Sequence, residues 1–542
     1  MNRQFKWQCK QLVQAVAAAT LVASASSSQA LNFKFGDGNE WNLDLDTNLS
    51  YTAQWRVAKQ DDDKFRYRDT GNPIEDLANY SILLNANDGN NNFNRSLVQN
   101  KASIVTEMDL SWRNFGFFGR ARAYYDDVYD SRTDQSEEDF LTYNNNENLP
   151  NGDTGFREFP DNTVNKHRDR VQALDYFLYA SGELPGDRLF DIRLGSQVIN
   201  WGEATFTSGI NGLQNRADVI ARNTPGVEVK EILLPTGAIY GQLDVFTDIT
   251  FEAYYQYEWK ETELNGVGSF FSDRDFLGPS ARNFLVALGP DAFKPIPKLP
   301  DDNASDTGQW GAALHWVTNG GTDFGLYYIN AHNKAPAYQL NTGADGILPL
   351  SYTVKYIEDI KGYAASFTTV LGVTNIQGEI SQKSDVPVVL SAKYGLDELG
   401  DLDNGDLVSY QLGGSHVLEP NAFWDDANLT FELAGAYITS HDSSELRYDD
   451  HGTVVNLRLE LSYLNILSGL DLKVPIFFRR GLDGNILESE MVEDATAVNI
   501  EFQFIYLTNF ITKVGYTNFF DGGENHLITD RDNVSLNFSY SF

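Results

Sequence analysis

The chain has 542 residues, of which 42% are hydrophobic, 13% aromatic and 22% charged, and its formal net charge is −35. Because duplex binding requires clustered basic residues, this acidity excludes nucleic acid as an expected partner. After residue 30 the sequence contains no apolar run long enough to predict a transmembrane helix.

Residues 1–30 are predicted to be a secretory signal peptide. Three basic residues lie within the first ten positions, a short apolar core follows, and small residues occupy 28–30. Cleavage there lowers the basic count from 41 to 38 against 76 acidic residues, so the mature charge is −38. Cys9, the single cysteine of the chain, lies before the apolar core and is removed with the signal peptide, so the mature chain has no cysteine. We predict that 31–542 form a single domain.

Most of the mature chain alternates between apolar and polar residues with a period of two. The alternation is clearest at 104–112, 251–259, 455–463, 496–507 and 534–542. Such alternation predicts strands with one apolar face. These segments have about nine to eleven residues, the length that a tilted strand needs to cross a bilayer. The opposite face carries full charges, which a soluble sandwich could also expose to water. Together with the strand length and the aromatic residues at the strand ends, these charges favour a membrane barrel with a wet interior.

Aromatic residues crowd the ends of these segments and predict the two interfacial girdles of a membrane barrel. They are Tyr51, Trp55, Trp112, Tyr124, Tyr125, residues 254–259, Trp316, Tyr327, Tyr328, Phe519 and Phe520.

The expected fold class is all-β: a transmembrane antiparallel β-barrel of about 18 strands, with 16 or 20 as alternatives, because bacterial single-chain barrels have even strand numbers. Short links at 113–114, 182–187 and 320–321 predict periplasmic turns. Long polar links predict extracellular loops at 59–100, 127–168, 260–306, 331–351, 383–403 and 519–532. The expected location is the outer membrane of a Gram-negative bacterium, in contact with its lipid.

Three acidic tracts, 61–63, 301–302 and 401–406, are predicted to lie in loops. Solvated loop charge explains them, and calcium binding is the alternative. No metal site or cofactor is expected elsewhere, because the mature chain has no cysteine and no His pair at helical spacing.

Residues 199–236 depart from the strand pattern. They are too polar and too rich in glycine for a lipid-facing strand, yet poorer in charge than the other loops. This composition predicts a segment that folds into the lumen as a plug or constriction; an ordinary loop over the mouth is the alternative. The candidate gate residues, expected to pair with the wall, are Trp201, Glu203, Arg216, Arg222, Glu228, Lys230 and Glu231.

Charged side chains on the inward faces of the predicted strands are candidates for the lumen lining. They either brace the wall as cross-strand ion pairs or select solutes, and both roles are compatible. They are Arg120, Arg122, Arg193, Glu252, Glu379, Arg458, Glu460 and Glu501.

The last residues, VSLNFSYSF, alternate strictly and end on an aromatic residue. We predict that this strand closes the barrel by pairing with 41–57. Phe538, Tyr540 and Phe542 match the signal that the barrel-assembly machinery recognises in outer-membrane barrels.

Four stretches resemble an uncharacterised family of proteobacterial outer-membrane proteins, the domain of unknown function thirteen-oh-two. They are RLGSQVINWGEATFTSGIN at 193–211, TPGVEVKEILLP at 224–235, NDGNNNF at 87–93 and the segment from YTNFF to the C-terminus. The resemblance implies a barrel that works with a periplasmic companion protein and an inner-membrane lipid exporter of the resistance-nodulation-division type.

We expect the protein to pass a hydrophobic or lipid-like solute as part of an envelope transport system. A general or cation-preferring porin is one alternative, and a scaffold for adhesion or envelope assembly is another. An enzyme is not expected, because the seven histidines show no recognisable catalytic spacing and no G-x-S-x-G motif occurs.

Overall fold

The computed structural model describes residues 31–61, 67–71, 73–136, 155–290, 292–342, 349–390, 401–486 and 491–542. The predicted signal peptide and residues 62–63 of the first acidic tract lie outside these ranges. No helix in them is long and apolar enough to cross a membrane.

Strands account for most of the described residues. They are β1 (Leu31–Phe35), β2 (Trp41–Arg56), β3 (Leu97–Trp112), β4 (Phe115–Asp126), β5 (Asp169–Leu184), β6 (Arg188–Gln197), β7 (Arg216–Ala217), β8 (Leu233–Leu234), β9 (Thr236–Phe246), β10 (Ile249–Gln256), β11 (Asn283–Gly289), β12 (Ala292–Pro297), β13 (Gln309–Val317), β14 (Asp323–Ala331), β15 (Ala337–Thr342), β16 (Pro349–Lys355), β17 (Ile360–Leu371), β18 (Thr374–Leu390), β19 (Asp401–Leu418), β20 (Asp426–Ile438), β21 (His451–Leu467), β22 (Leu470–Asp483), β23 (Thr496–Tyr506), β24 (Phe510–Phe520) and β25 (Asn533–Ser541).

Short helices lie in the connections. They are α1 (Pro73–Leu84), α2 (Asp88–Asn91), α3 (Asp161–His167), α4 (Val219–Arg222) and α5 (Val229–Ile232).

Eighteen of the described strands form one closed antiparallel barrel, which confirms the predicted fold class. The ring contains β2–β6, β9, β10, β13, β14 and β17–β25, and it closes where β25 pairs with β2. Asn48 to Arg56 of β2 form this seam, as the sequence predicts. The lower part of β2, Trp41 to Leu45, pairs instead with β1, a strand that the sequence analysis did not anticipate.

The two faces of the wall differ as the alternation predicts. In β18 and β20, Ile380 and Leu433 project outward without protein cover, whereas Glu379 and Glu432 project inward and are buried. An apolar outer band of this kind is the surface that lipid requires of a membrane barrel.

The aromatic prediction holds only in part. At the short-turn end, Trp41 and Trp112 stack with ring centroids 5.9 Å apart on the outer surface. Tyr125, Tyr254 and Trp259, however, are buried within the protein. Neighbouring residues of a strand face opposite sides, so a consecutive run of aromatics cannot all lie in an interfacial girdle.

The connections are short at one end of the barrel and long at the other. The short ones are 113–114, 185–187, 247–248, 318–322, 372–373, 419–425, 468–469 and 507–509. The long ones are 57–96, 127–168, 198–235, 257–308, 332–359, 391–400, 439–450, 484–495 and 521–532.

Two boundary predictions are wrong. Residues 401–406 begin β19 rather than forming a loop, and β18 continues to Leu390 instead of ending near residue 383. Beyond the hydrocarbon layer a strand can carry polar residues on both faces, so the alternation stops marking where the strand ends. The predicted turn at 182–187 is also narrower, because β5 runs to Leu184.

The described residues of seven long connections, all except 198–235 and 391–400, form a layer over the barrel mouth that we call the cap. It contains α1–α3 and the hairpins β11–β12 and β15–β16. Aromatic contacts hold it together: Phe276 lies 4.9 Å from both Phe284 and Tyr338, and Tyr352 is fully buried beside them.

Candidate functional site

The connection between β6 and β9, residues 198–235, lies in the lumen and is called the inward segment below. Its bounds differ by one residue at each end from the predicted 199–236. Its apolar side chains pack on inward-facing wall residues, with the ring of Trp201 4.9 Å from Tyr254 and 6.1 Å from Tyr327. The indole Nε1 of Trp201 donates to Glu252 Oε2 on β10 at 2.7 Å.

Two buried wall glutamates hold the first half of the inward segment. The carboxylate of Glu432 accepts from the backbone amides of Thr205, Phe206 and Thr207 at 2.8–3.0 Å. The carboxylate of Glu379 accepts from those of Glu203 and Ile210 at 3.0 and 2.7 Å. Hydrogen bonds to a charged acceptor are stronger than neutral ones, so these five bonds fix the backbone against β18 and β20.

Two arginines of β4 hold the second half. Arg122 Nη2 lies 2.5 Å from Asp218 Oδ2, and both side chains are buried. Asp218 also caps α4 by accepting from the amide of Ala221 at 2.9 Å. Arg120 Nη1 donates to the carbonyl oxygen of Lys230 at 3.2 Å.

The segment also reaches the closing seam. The carbonyl oxygen of Pro225 accepts from Thr52 Oγ1 of β2 at 3.2 Å and from Asn537 Nδ2 of β25 at 3.4 Å. Since β18 and β20 lie well around the ring from this seam, the inward segment crosses the lumen rather than lining one side of it.

The hypothesis that the segment's own charges pair with the wall is correct for Lys230, whose Nζ lies 2.7 Å from Glu107 on β3. Arg216 instead lies 3.5 Å from Glu263, which belongs to the cap. Glu228 and Glu231 form a local capping box at the start of α5.

Glu203 and Arg222 do not pair with the wall. No hydrogen bond or ion pair joins either side chain to the described part of the chain. The sequence predicts that side chains of the segment bind the wall. The structure instead shows carboxylates of the wall that bind backbone amides of the glycine-rich segment. Burial and the nearby Asp323 raise the pKa of Glu203.

The predicted lining residues form ion pairs and hydrogen bonds inside the barrel. Arg193 Nε lies 2.7 Å from Asp191, and Arg458 Nη2 lies 2.7 Å from Glu460, which also meets Lys473 at 3.1 Å. Glu501 accepts from the Gln503 amide nitrogen at 2.5 Å. These contacts match the bracing role, while solute selection by the same residues stays a prediction.

Glu432 is the residue that matters most to the position of the inward segment and that the sequence analysis missed. The sequence pattern could have identified it. Glu432 is the only charged residue between Leu429 and Ile438, and it lies on the inward face of a stretch of apolar or small residues. A lone carboxylate in such a stretch requires a partner.

A buried lysine joins the cap to the inward segment. Lys334 Nζ donates to the carbonyl oxygen of Leu213 at 2.9 Å and to Gln309 Oε1 at 3.2 Å. Burial lowers the pKa of Lys334 to about 7. At Glu263, burial raises the pKa, but hydrogen bonding from Arg170 outweighs it and brings the pKa to about 2.

No metal centre is formed by three or more His, Cys, Asp or Glu side chains within the described ranges. Asp301 of the second acidic tract lies 2.8 Å from Lys298, which supports the solvated-charge interpretation for that residue. His315 lies 3.3 Å from Asp323 in the lumen, and His451 lies 2.8 Å from Asp450 at the rim. The absence of enzymatic activity stays a prediction.

A cavity of about 830 Å³ separates the inward segment from the cap, and we call it the vestibule. Phe206, Thr207, Ser208 and Arg222 of the inward segment form its floor. Residues from the cap form its roof, and inward-facing residues of β21–β24 with their connections form one side.

The sequence profile of one family matches residues 11–542, nearly the whole chain, and is described as Protein of unknown function (DUF1302). The chain belongs to this DUF1302 family. The resemblance seen in the four sequence stretches is thereby confirmed. Comparison of this DUF1302 chain with curated proteins gives no match.

Among solved structures, the DUF1302 chain is similar to Acinetobacter baumannii OccAB1, with 9% identity, a TM-score of 0.44, and coverage of 95% of this chain and 99% of that one. It is also similar to Pseudomonas aeruginosa OccK2 (OpdF) in complex with glucuronate, with 10% identity, a TM-score of 0.41, and coverage of 92% and 98%. The Salmonella typhi OmpF complex with daunomycin has 9% identity and a TM-score of 0.36, with coverage of 94% of this chain and 100% of that one.

Proposed function

We propose that this outer-membrane barrel passes a hydrophobic or lipid-like solute and that the inward segment controls the passage. The observation that carries the proposal is the anchoring of the segment across the lumen. Five backbone amides bind Glu379 and Glu432, and Arg122 binds Asp218 on the opposite side. A wide diffusion pore does not need a segment held in this way.

The contacts around the segment support an amphiphilic or apolar solute over a small ion. Trp201, Ile210 and Leu213 form an apolar cluster in the lumen with Tyr254 and Tyr327. The vestibule above it is also partly lined by aromatic and aliphatic side chains. Because dehydrating an ion against such surfaces is costly, an apolar solute is the better match.

We further propose that the barrel works with a periplasmic companion protein and an inner-membrane lipid exporter, as the family resemblance implies. At the end of the barrel where β25 ends, the described connections between strands are short turns. A soluble companion could therefore receive or deliver a solute at this end.

The proposal is tested in a deletion strain by measuring the lipids of both outer-membrane leaflets and growth on hydrophobic carbon sources. We expect a defect in at least one of them that the complete chain restores. A strain with normal leaflet lipids and normal growth on every hydrophobic source would contradict the proposal. Trimming the long loops tests the scaffold alternative. If the protein is a scaffold, the trimmed variants should lose the phenotype while uptake persists.

A cation-preferring porin is the second candidate, and the net charge of −35 favours it. An acidic lumen attracts cations and repels anions. Single-channel recording distinguishes the two functions: a large, steady and cation-preferring conductance of the complete protein would support the porin, whereas a small conductance supports the obstructed channel.

A further inference from the structure

The ladder of paired residues between β22 and β23 is interrupted near its middle, at a place that we call the gap. Pairing stops after Lys473 of β22 and resumes at Ile476. Val474 and Pro475 have no ladder partner on β23, although both strands are described throughout. The register is the same on both sides of the gap, so neither strand carries an inserted residue. In the other ladders of the described ring, pairing is either continuous or interrupted by a shift in register.

A proline accounts for the gap. Pro475 has no backbone N–H, so it cannot donate the hydrogen bond that the ladder requires at its position. Inside sheets, proline is normally confined to edge strands, first residues and bulges. Pro475 lies in the middle of β22, which is paired on both sides, and the unchanged register excludes a bulge towards β23. Its cost to the wall is therefore a lost bond within an otherwise closed ring.

The gap lies within the lipid-facing band of the wall. Phe477 of β22 faces the lumen, where its ring lies 5.5 Å from that of Phe206. By alternation, Leu472 and Phe478 face the lipid on either side of the gap. Separating two strands in hydrocarbon exposes backbone groups that no water can satisfy, so each intact ladder bond keeps the wall closed. Because one bond is already absent at Pro475, the strands separate there more easily than along an intact ladder.

The lumen side of the gap carries no bulky side chain. The register places Glu501 of β23 opposite Pro475, and it pairs Glu501 with Gly515 of β24. The side chain of Glu501 leans towards β24, with its Cγ 3.8 Å from the point where a Cβ of Gly515 would stand. Its carboxylate accepts from Gln503 Nε2 at 2.5 Å. The wall at the gap is therefore little thicker than the backbone and a proline ring.

The inward segment contacts the wall beside the gap. Phe206, whose ring meets that of Phe477, lies in the floor of the vestibule, and Ala497 of β23 lies in its side. Phe477 is two residues nearer to the cap than Pro475 on the same face of β22. The amide of Phe206 is held by Glu432 at 3.0 Å. The rings of Phe206 and Phe477 thus separate the vestibule from the gap, and a movement of the inward segment would connect the two.

We propose that the wall opens at the gap and that a hydrophobic or lipid-like solute passes there between the lumen and the hydrocarbon layer. This inference rests on the proposed function, because it gives the route of the same solute past the inward segment. A small ion cannot take this route, since leaving water for hydrocarbon is costly for a charge. Apolar solutes and ions therefore leave the lumen by different ways.

A disulfide across the gap tests the inference. Val474 and Phe502 face each other on the lipid side, so Val474→Cys combined with Phe502→Cys can lock the two strands together. The matched control is Val514→Cys combined with Leu536→Cys, an opposed pair at the same level of the uninterrupted ladder between β24 and β25. Each variant is compared in its oxidised and reduced forms, so the effect of the substitutions themselves cancels.

The complete protein is placed in phosphatidylcholine nanodiscs whose bilayer contains palmitate with a photoreactive diazirine group. After illumination, mass spectrometry measures the labelling of the inward segment around Phe206. We expect several-fold less labelling in the oxidised gap variant than in its reduced form, and no difference between the two forms of the control. Labelling of the outer face around Ile380, which is 56% exposed, should be the same in every sample.

Equal labelling of the inward segment in both forms of the gap variant overturns the inference, because the probe then enters through a mouth of the barrel. No labelling of that segment in the unmodified protein overturns it as well. If the double variant does not fold, Pro475→Ala decides the question. It restores the missing donor and should lower the labelling several-fold, so unchanged labelling contradicts the inference.

The same experiments separate this route from the proposed function. Labelling that does not depend on the gap, together with a lipid or growth phenotype that the complete chain restores, rejects only the route. Labelling through the gap with no phenotype in the deletion strain rejects the proposed function instead.

Discussion

The inward segment and the cap both lie across the same barrel, but different forces hold them. The inward segment depends on hydrogen bonds and ion pairs with wall side chains, such as the three amides bound by Glu432. The cap depends on buried aromatic clusters, such as the one around Tyr352. The inward segment also packs Trp201, Ile210 and Leu213 on the wall, but its directional polar contacts fix the backbone against particular strands. Apolar packing is cooperative and resists partial opening.

The largest expected effect comes from removing the two obstructions separately. Deleting 203–222 should raise single-channel conductance several-fold, because the part of the segment bound to β18 and β20 is lost. Deleting 337–355, a cap hairpin of nearly equal length, should change conductance much less. Planar bilayer recordings of the two variants check this. A larger increase from the cap deletion would place the main obstruction in the cap and reverse the comparison.

Truncating a buried aromatic side chain of the cap should lower the stability of the cap and leave that of the barrel unchanged. Phe276→Ala removes a buried ring that contacts three other aromatic residues, and such changes cost about 3–5 kcal/mol. Limited proteolysis should cut the cap of this variant faster, while the barrel keeps its heat-modifiable gel mobility. Phe423→Ala is the control, since that ring is 77% exposed in a short connection. Equal protease resistance of both variants would show that the aromatic cluster does not stabilise the cap.

Neutralising the main anchor should loosen the inward segment without unfolding it. Glu432→Gln keeps one acceptor oxygen but loses the charge shared by three amides, at a cost of about 2 kcal/mol. We expect the current through the variant to fluctuate more often than that of the unmodified protein, while the stability of the barrel is unchanged. Glu445→Gln in the cap, where the carboxylate is 62% exposed, is the matched control. A current trace identical to that of the unmodified protein would argue against anchoring by Glu432.

The smallest expected effect concerns the contact between the two regions. Burial lowers the pKa of Lys334 to about 7, below its value in an unfolded chain. Between these two pKa values the folded form binds fewer protons, so the contact gains stability as the pH rises and loses it as the pH falls towards 7. From pH 7 to pH 8 the gain is about 1 kcal/mol.

Current fluctuations should therefore be fewer at pH 8 than at pH 7 in the unmodified protein. Lys334→Met cannot titrate and should show no such change. A pH response of equal size in both proteins would assign it to another group.

Strand positions were largely predictable. The segment predicted at 496–507 is β23 at Thr496–Tyr506, and the inward segment was found within one residue at each end. The side-chain pairing of the gate residues was not predictable, because it depends on which wall strand the segment reaches. Residues 401–406 were wrongly predicted to lie in a loop, because an acidic composition is typical of loops even where the backbone continues as a strand.

The sequence alone determined the barrel, its even strand number and its closure, because lipid on the outside imposes an apolar side chain at every second position. It also marked the inward segment by its composition. Only the tertiary structure decided what holds that segment and where the vestibule lies. Contacts such as that between Glu432 and Thr207 join residues more than two hundred positions apart, and no local pattern encodes them.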